Sequence, residues 1–69
     1  MTVRQALESW ESLNTFLRSA TEAKALEVLE AEKAGARRLF FLRRVHATYN
    51  KLRARREREE LDQMGMTSR

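Results

Sequence analysis

An all-α fold, a small three-helix bundle made of a helical hairpin plus a long basic C-terminal helix, is predicted by three observations. Apolar residues recur at threes and fours through most of the chain, which is helix periodicity and not strand alternation. The 69 residues include no proline and 35% are charged, a composition that suits long uninterrupted helices. Capping signals at Thr2 and Ser19–Glu22, and a glycine at position 35, divide the sequence into three amphipathic segments.

The first segment opens on Thr2-Val-Arg-Gln, in which the Thr2 hydroxyl and the Gln5 side chain can satisfy exposed amides reciprocally. Val3, Ala6, Leu7, Trp10, Leu13, Phe16 and Leu17 then line one side, predicting a helix over about residues 3–18 with Trp10 in its core stripe. Ser19 or Thr21 caps the second helix, over 21–34, and Glu22 favours the positive end of its dipole. Leu26 and Leu29, with Ala23, Ala25 and Val28, form its narrow apolar face, while Glu27, Glu30 and Glu32 are expected to look outward. Gly35 stands where a helix C-cap wants a residue able to take positive φ.

The third helix is expected over 36–63, with Gly65 as its stop and residues 65–69 as a frayed tail. At about 100° per residue, Phe41, Leu42, Val45, Tyr49 and Leu52 share one sector, the width of a core-facing stripe. His46, the only histidine, lies at the edge of that stripe and is expected to be partly buried there, one turn from Asn50. On another sector Arg37, Arg44, Lys51 and Arg58 follow one another every seven residues, with Arg55 beside them and Phe40 projecting into the same row. No acid lies between Arg37 and Arg56. Beyond Leu52 the stripe gives way to Arg56, and pairs such as Arg53–Glu57, Arg55–Glu59, Arg56–Glu60 and Arg58–Asp62 support a solvated helix, in the less favourable order.

Length bounds the rest. One domain is expected, residues 1–64, near the lower limit for a core that folds alone. The chain has no cysteine, so neither disulfides nor a Cys-based zinc or redox site is open to it. A core so small gains by burying more surface, which makes a homodimer an expected state. No apolar run reaches the length of a membrane span, and Glu8 and Glu11 interrupt the N-terminal segment where a signal peptide would be apolar. The expected compartment is the cytoplasm.

Charge is distributed unevenly. Residues 1–35 hold four Arg or Lys and six Glu, a net of −2, whereas residues 36–69 hold ten Arg or Lys and four acids, a net of +6. Concentrated positive charge of this kind points to nucleic acid, an anionic membrane or an acidic protein surface. A basic amphipathic helix can lie on anionic lipid, but here the apolar stripe is needed to bury the other two helices, so no membrane partner is expected. A single histidine cannot build a metal site within one chain, and a base with neither nucleophile nor second acid is no enzyme site. No enzymatic activity, metal or cofactor is expected.

Three stretches resemble known patterns. Ala31-x-x-x-Gly35 resembles the turn of a helix-turn-helix, although Arg44 falls where that motif has an apolar residue. Leu52-Arg-Ala-Arg-Arg-Glu-Arg-Glu resembles the arginine-rich helices of lambdoid phage antitermination proteins, which bind an RNA hairpin. The match rests on Arg53, Arg55, Arg56, Glu57 and Arg58, and it ends where Glu59 and Glu60 follow. Over residues 20–61, Ala20-Thr-Glu22, Leu29-Glu-Ala-Glu-Lys-Ala-Gly35, Arg38, Leu42, Arg44, His46, Asn50, Arg53 and Arg56-Glu-Arg58 resemble small helical proteins of tailed phages. That resemblance implies a phage or prophage origin and a host-cytoplasmic setting, and brings no activity or site.

The expected function is therefore non-catalytic binding of DNA or RNA by a phage-type regulatory or accessory protein. Arg37, Arg43, Arg44, Lys51, Arg55 and Arg58 are the expected phosphate contacts, and Phe40 the residue placed to stack on a base. The alternative is a protein-interaction module in which the same cations engage an acidic surface of a host protein, or the long helix pairs with its own copy.

Overall fold

The computed structural model describes residues 1–67. Among these the chain is all-α, with no strand. Its helices are α1 (Val3–Ala6), α2 (Trp10–Arg18), α3 (Glu22–Ala34) and α4 (Leu39–Thr67). The molecule is elongated, 49 × 19 × 15 Å, because α4 runs past the other three.

Four helices replace the three expected because the first is broken at Leu7–Ser9. The capping box forms at Thr2: its Oγ1 accepts from the Gln5 amide (3.1 Å) and Gln5 Oε1 accepts from the Thr2 amide (2.8 Å). Ser9 then caps a new helix, its Oγ accepting from the Ser12 amide at 3.0 Å, and Glu11 sits in that helix's first turn. The break has a structural use. It frees the Leu7 carbonyl, which accepts from Arg38 Nη2 at 2.9 Å. Trp10, now in the first turn of α2, is not in the core; it is 45% exposed and meets the Phe41 ring edge-on, with centroids 5.6 Å apart.

Thr21 caps α3 through the Lys24 amide (3.2 Å), and the helix runs to Ala34 as the sequence predicts. Its buried face is Ala25, Val28, Leu29 and Glu32. Two expectations are corrected here. Leu26 faces solvent, one residue round from the packed face, and Glu32 is buried, 1% exposed. The reason is Arg38, which brings a matching cation over the end of α3. Its backbone N, Nε and Nη2 donate to the Glu32 carboxylate at 2.7, 2.9 and 2.8 Å. The same guanidinium lies 3.5 Å from the Phe41 ring centroid.

The turn from α3 to α4 also departs from expectation. Gly35 has φ −108°, and the left-handed residue is Arg37, with φ 55°. Gly35 matters through close approach, since a Cβ there would stand 3.2 Å from the Ala31 carbonyl oxygen. Arg37 is held in its unusual conformation at both ends: its amide donates to the Glu32 carbonyl (3.0 Å) and its Nε to the Lys33 carbonyl (2.8 Å), closing the end of α3. This turn delays α4 to Leu39, three residues later than expected. At its other end α4 passes through Gly65 to Thr67, so that glycine is not the stop. Ser68 and Arg69, in the expected frayed tail, lie outside the described residues.

The core is small. Leu13 and Leu17 of α2, Val28 and Leu29 of α3, and Val45 of α4 are buried together, with Phe16, Phe41, Leu42 and Tyr49 packed around them. α4 rests chiefly on α3 and leaves its C-terminal turns exposed. Arg56, where the apolar stripe ends, reaches back to Glu22 at 2.7 Å and to Glu60 at 2.9 Å. The helix is thereby fastened to the start of α3 one turn beyond Leu52. His46 is exposed, not partly buried, with the Asn50 amide nitrogen 3.3 Å from its Nδ1.

Candidate nucleic-acid interface

A groove of about 360 Å³ runs between the C-terminal end of α2 and the middle of α4. Its floor is Leu17, Ala20, Ala47 and Leu52, and its polar walls are Arg18, Arg44, Thr48, Lys51 and Arg55. Four cations line it and no carboxylate does. The placement follows from helix geometry. Residues 44, 48, 51 and 55 recur at threes and fours on a side of α4 roughly a quarter turn from Val45, which points into the core. Ala47, with only a methyl group, leaves the space between them open. α2 ends just where Arg18 can lean over this side from the opposite wall.

Arg44 is part of the wall's construction. Its Nε donates to Asn14 Oδ1 at 2.7 Å and its Nη1 to the Thr48 hydroxyl, while Asn14 Nδ2 donates to the Trp10 carbonyl at 3.0 Å. This chain of hydrogen bonds ties α2 to α4 and fixes the groove's width. None of these partners is charged, so the full positive charge of Arg44 remains in the groove.

A second groove of similar size continues toward the C-terminus, lined by Lys51, Ala54, Arg55, Arg58 and Glu59. It shares Lys51 and Arg55 with the first, and the two make one strip along α4. From Arg44 to Arg58 the strip is about 21 Å long at 1.5 Å per residue.

The remaining cations sort by their partners. Arg38 is neutralised by Glu32, Arg56 by Glu22 and Glu60, Arg53 by Glu57, Lys24 by Glu27 and Lys33 by Glu30. The hydrogen bond that Arg56 donates to Glu22, with that to Glu60 second, raises its pKa further above the ordinary value. Arg38 likewise holds the Glu32 carboxyl below the ordinary carboxylate range, its hydrogen bonds outweighing the opposing effect of burial. Among the described residues, Arg18, Lys51, Arg55 and Arg58 make no ion pair, and the expected Arg55–Glu59 and Arg58–Asp62 contacts do not form. Glu22, Glu27, Glu30, Glu32, Glu57 and Glu60 are thus paired with other cations, and Glu59 is the one acid that lines the second groove.

Of the residues singled out in the sequence, the strip brings together Arg44, Lys51, Arg55 and Arg58. Phe40 stands one turn before Arg44 on the same side, 70% exposed, beside an apolar hollow formed with Trp10, Arg38 and Phe41. Arg37 is not on α4 at all, because the left-handed turn carries it back over the end of α3. Arg43 falls on a different side of α4, next to Leu29, Lys33, Leu42 and His46. Arg18, Asn14 and Thr48 are additions. The helical phase of α2 places Arg18 directly after the buried Leu17, but only the crossing of α2 over α4 makes it a neighbour of Lys51.

No three His, Asp or Glu side chains gather into a metal-binding cluster among the described residues, and no helix among them is long and apolar enough to cross a membrane. Comparisons with protein-family models, with characterised proteins and with solved structures found no match to this chain.

Proposed function

We propose that this chain is a small, non-catalytic nucleic-acid-binding protein that seats a phosphodiester backbone along the strip formed by Arg18, Arg44, Lys51, Arg55 and Arg58. The observation that carries this reading is the segregation of charge: six carboxylates are paired with other cations, none lines the first groove, and Arg18, Arg44, Lys51, Arg55 and Arg58 make no ion pair among the described residues. Arginine and lysine so placed neutralise phosphates and release counterions, and the hydroxyl of Thr48 adds a neutral polar group. A length of about 21 Å matches roughly six nucleotide steps at 3.4 Å per strand. Phe40, at the upstream end of the same side, is placed to stack on an unpaired base. The likeness of residues 20–61 to small helical proteins of tailed phages supports a regulatory or accessory role of phage origin in the host cytoplasm.

Fluorescence anisotropy with a short DNA duplex, an RNA hairpin and a single strand, each across a salt titration, tests the reading. Binding should weaken steeply with salt, and the tightest ligand names the class. Four or five phosphate contacts on duplex DNA correspond to a slope of about −4 in log K against log salt. Affinity weaker than about 0.1 mM for all three at low salt, which is at or below ordinary non-specific binding, removes nucleic acid and leaves an acidic protein surface as the partner.

A further inference from the structure

The crevice between α2 and α4 has two ends, and the first basic groove occupies one of them. At the other, Trp10, Arg38, Phe40 and Phe41 line an apolar hollow of about 460 Å³. Helix phase aligns the two ends. Trp10, Asn14 and Arg18 recur every four residues along one side of α2. On α4, Phe40, Arg44, Lys51, Arg55 and Arg58 fall within a sector of about 60° at 100° per residue. Between the ends, Arg44 Nε donates to Asn14 Oδ1 and Asn14 Nδ2 to the Trp10 carbonyl, so hollow and groove are held as one piece.

The hollow is built in advance of any ligand. Arg38 lies against Phe41 and is fixed there by Glu32 and the Leu7 carbonyl, and Phe41 in turn meets Trp10 edge-on. Glu32 cancels the Arg38 charge, so this end has no net charge to offer a phosphate. Trp10 and Phe40 are nevertheless 45% and 70% exposed, and Phe40 takes no part in the core. An aromatic hollow without free charge, in line with cations that make no ion pair, matches a planar apolar group carried on an anionic backbone. That is the chemistry of a nucleotide whose base is unstacked. A paired base inside a duplex keeps its faces against its neighbours and cannot enter.

We infer that this hollow takes an unpaired base, stacked on Phe40 and Trp10, and that the ligand is accordingly single-stranded nucleic acid and not duplex. The inference rests on the strip as the phosphate site. Phe40 precedes Arg44 by about 6 Å along the helix axis, under two nucleotide steps at 3.4 Å, so the backbone leaving the base meets the first cation of the strip. The apolar lining grips the face of the base and not its edge, so binding tolerates any base.

Trp10 is the only tryptophan, so its emission reports on the hollow directly. The test titrates oligothymidylate of about twelve nucleotides, an abasic strand of equal length and a duplex of equal length, reading Trp10 emission and anisotropy. Oligothymidylate should quench Trp10 and bind about tenfold or more tightly than either of the others. The abasic strand should bind through the strip, with the same salt dependence and unchanged emission. Phe40→Ala should bring oligothymidylate to within about threefold of the abasic strand, and Phe40→Tyr should keep the wild-type preference. Circular dichroism on both variants separates loss of stacking from loss of fold. Equal affinity for oligothymidylate and the abasic strand, binding with unchanged Trp10 emission, or tighter binding of the duplex would each overturn the hollow as a base site while leaving the strip in place. Failure of all three to bind, the abasic strand included, would remove the strip and this inference with it. Trp10 emission that shifts with protein concentration alone would assign the hollow to a second copy of the chain, and overturns the inference as well.

Discussion

Glu32 is the carboxylate on which the arrangement of α1, α3 and α4 depends, and Glu32→Ala is the sharpest perturbation of it. The side chain is 2% exposed and accepts three hydrogen bonds from Arg38, one from its backbone amide and two from its guanidinium. Removing it leaves the amide that opens α4 without its acceptor and strips Arg38 of its counter-charge. Each hydrogen bond to a charged group contributes about 1.5–3 kcal/mol, but the three are not additive. The Arg38 side chain is 38% exposed, so water can recover part of its solvation. A total loss of about 3 kcal/mol is the expected result, the lower end of what breaking a buried pair costs. A chain this short has roughly 3–10 kcal/mol to lose, so the variant should be largely unfolded or close to it. Urea denaturation followed by circular dichroism measures this directly, and Glu32→Gln, which keeps one acceptor, should cost about half as much. A Glu32→Ala variant within about 0.5 kcal/mol of wild type would refute the assignment. The pH dependence has a fixed sign. The folded pKa of Glu32 is lowered from its ordinary 4.5, so its contribution is complete above that value and is lost as pH falls toward the lower folded value. Glu32→Gln should remove this part of the acid sensitivity.

Two further substitutions test the core and the turn. Leu13, with no exposed surface, should cost about 2–5 kcal/mol as Leu13→Ala, whereas the half-buried Leu42 should cost less; equal effects in thermal melts would misplace the centre of the core. Arg37→Gly relieves a left-handed residue at φ 55° while losing one exposed hydrogen bond, so it should be neutral or stabilising by up to about 1 kcal/mol and leave nucleic-acid affinity within twofold; destabilisation by more than about 1 kcal/mol would show that its bond to Lys33 dominates.

Much of the architecture is legible in local sequence because it rests on local physics. The Thr2 and Thr21 caps, the extent of α3 and the inward stripe of α4 follow from hydrogen-bonding side chains and periodicity alone. What escapes is decided by contacts between elements far apart in the chain. Ser9 is a cap only because breaking the helix there releases the Leu7 carbonyl for Arg38, thirty-one residues away. Glu32 has the spacing of a solvated acid, and only Arg38 makes burial tolerable. Left-handed geometry at Arg37 instead of Gly35 depends on two carbonyls at the end of α3 that sequence does not display. The candidate strip divides in the same way. Arg44, Lys51, Arg55 and Arg58 are collinear by helix phase, while Arg18 joins them through tertiary crossing and Arg43 leaves because it is a quarter turn or more out of phase.

The central claim, that charge at the strip and not net charge alone attracts nucleic acid, is tested most directly by two variants with the same change in charge. Lys51→Glu reverses a cation shared by both grooves, and Arg4→Glu reverses an exposed cation of α1 outside them. Salt-dependent anisotropy on the best of the three ligands should show Lys51→Glu losing at least tenfold in affinity and about one unit of salt slope, with Arg4→Glu within about twofold of wild type. Equal losses for the two variants would mean that the protein attracts nucleic acid only through its overall charge, and would contradict the strip as the binding site.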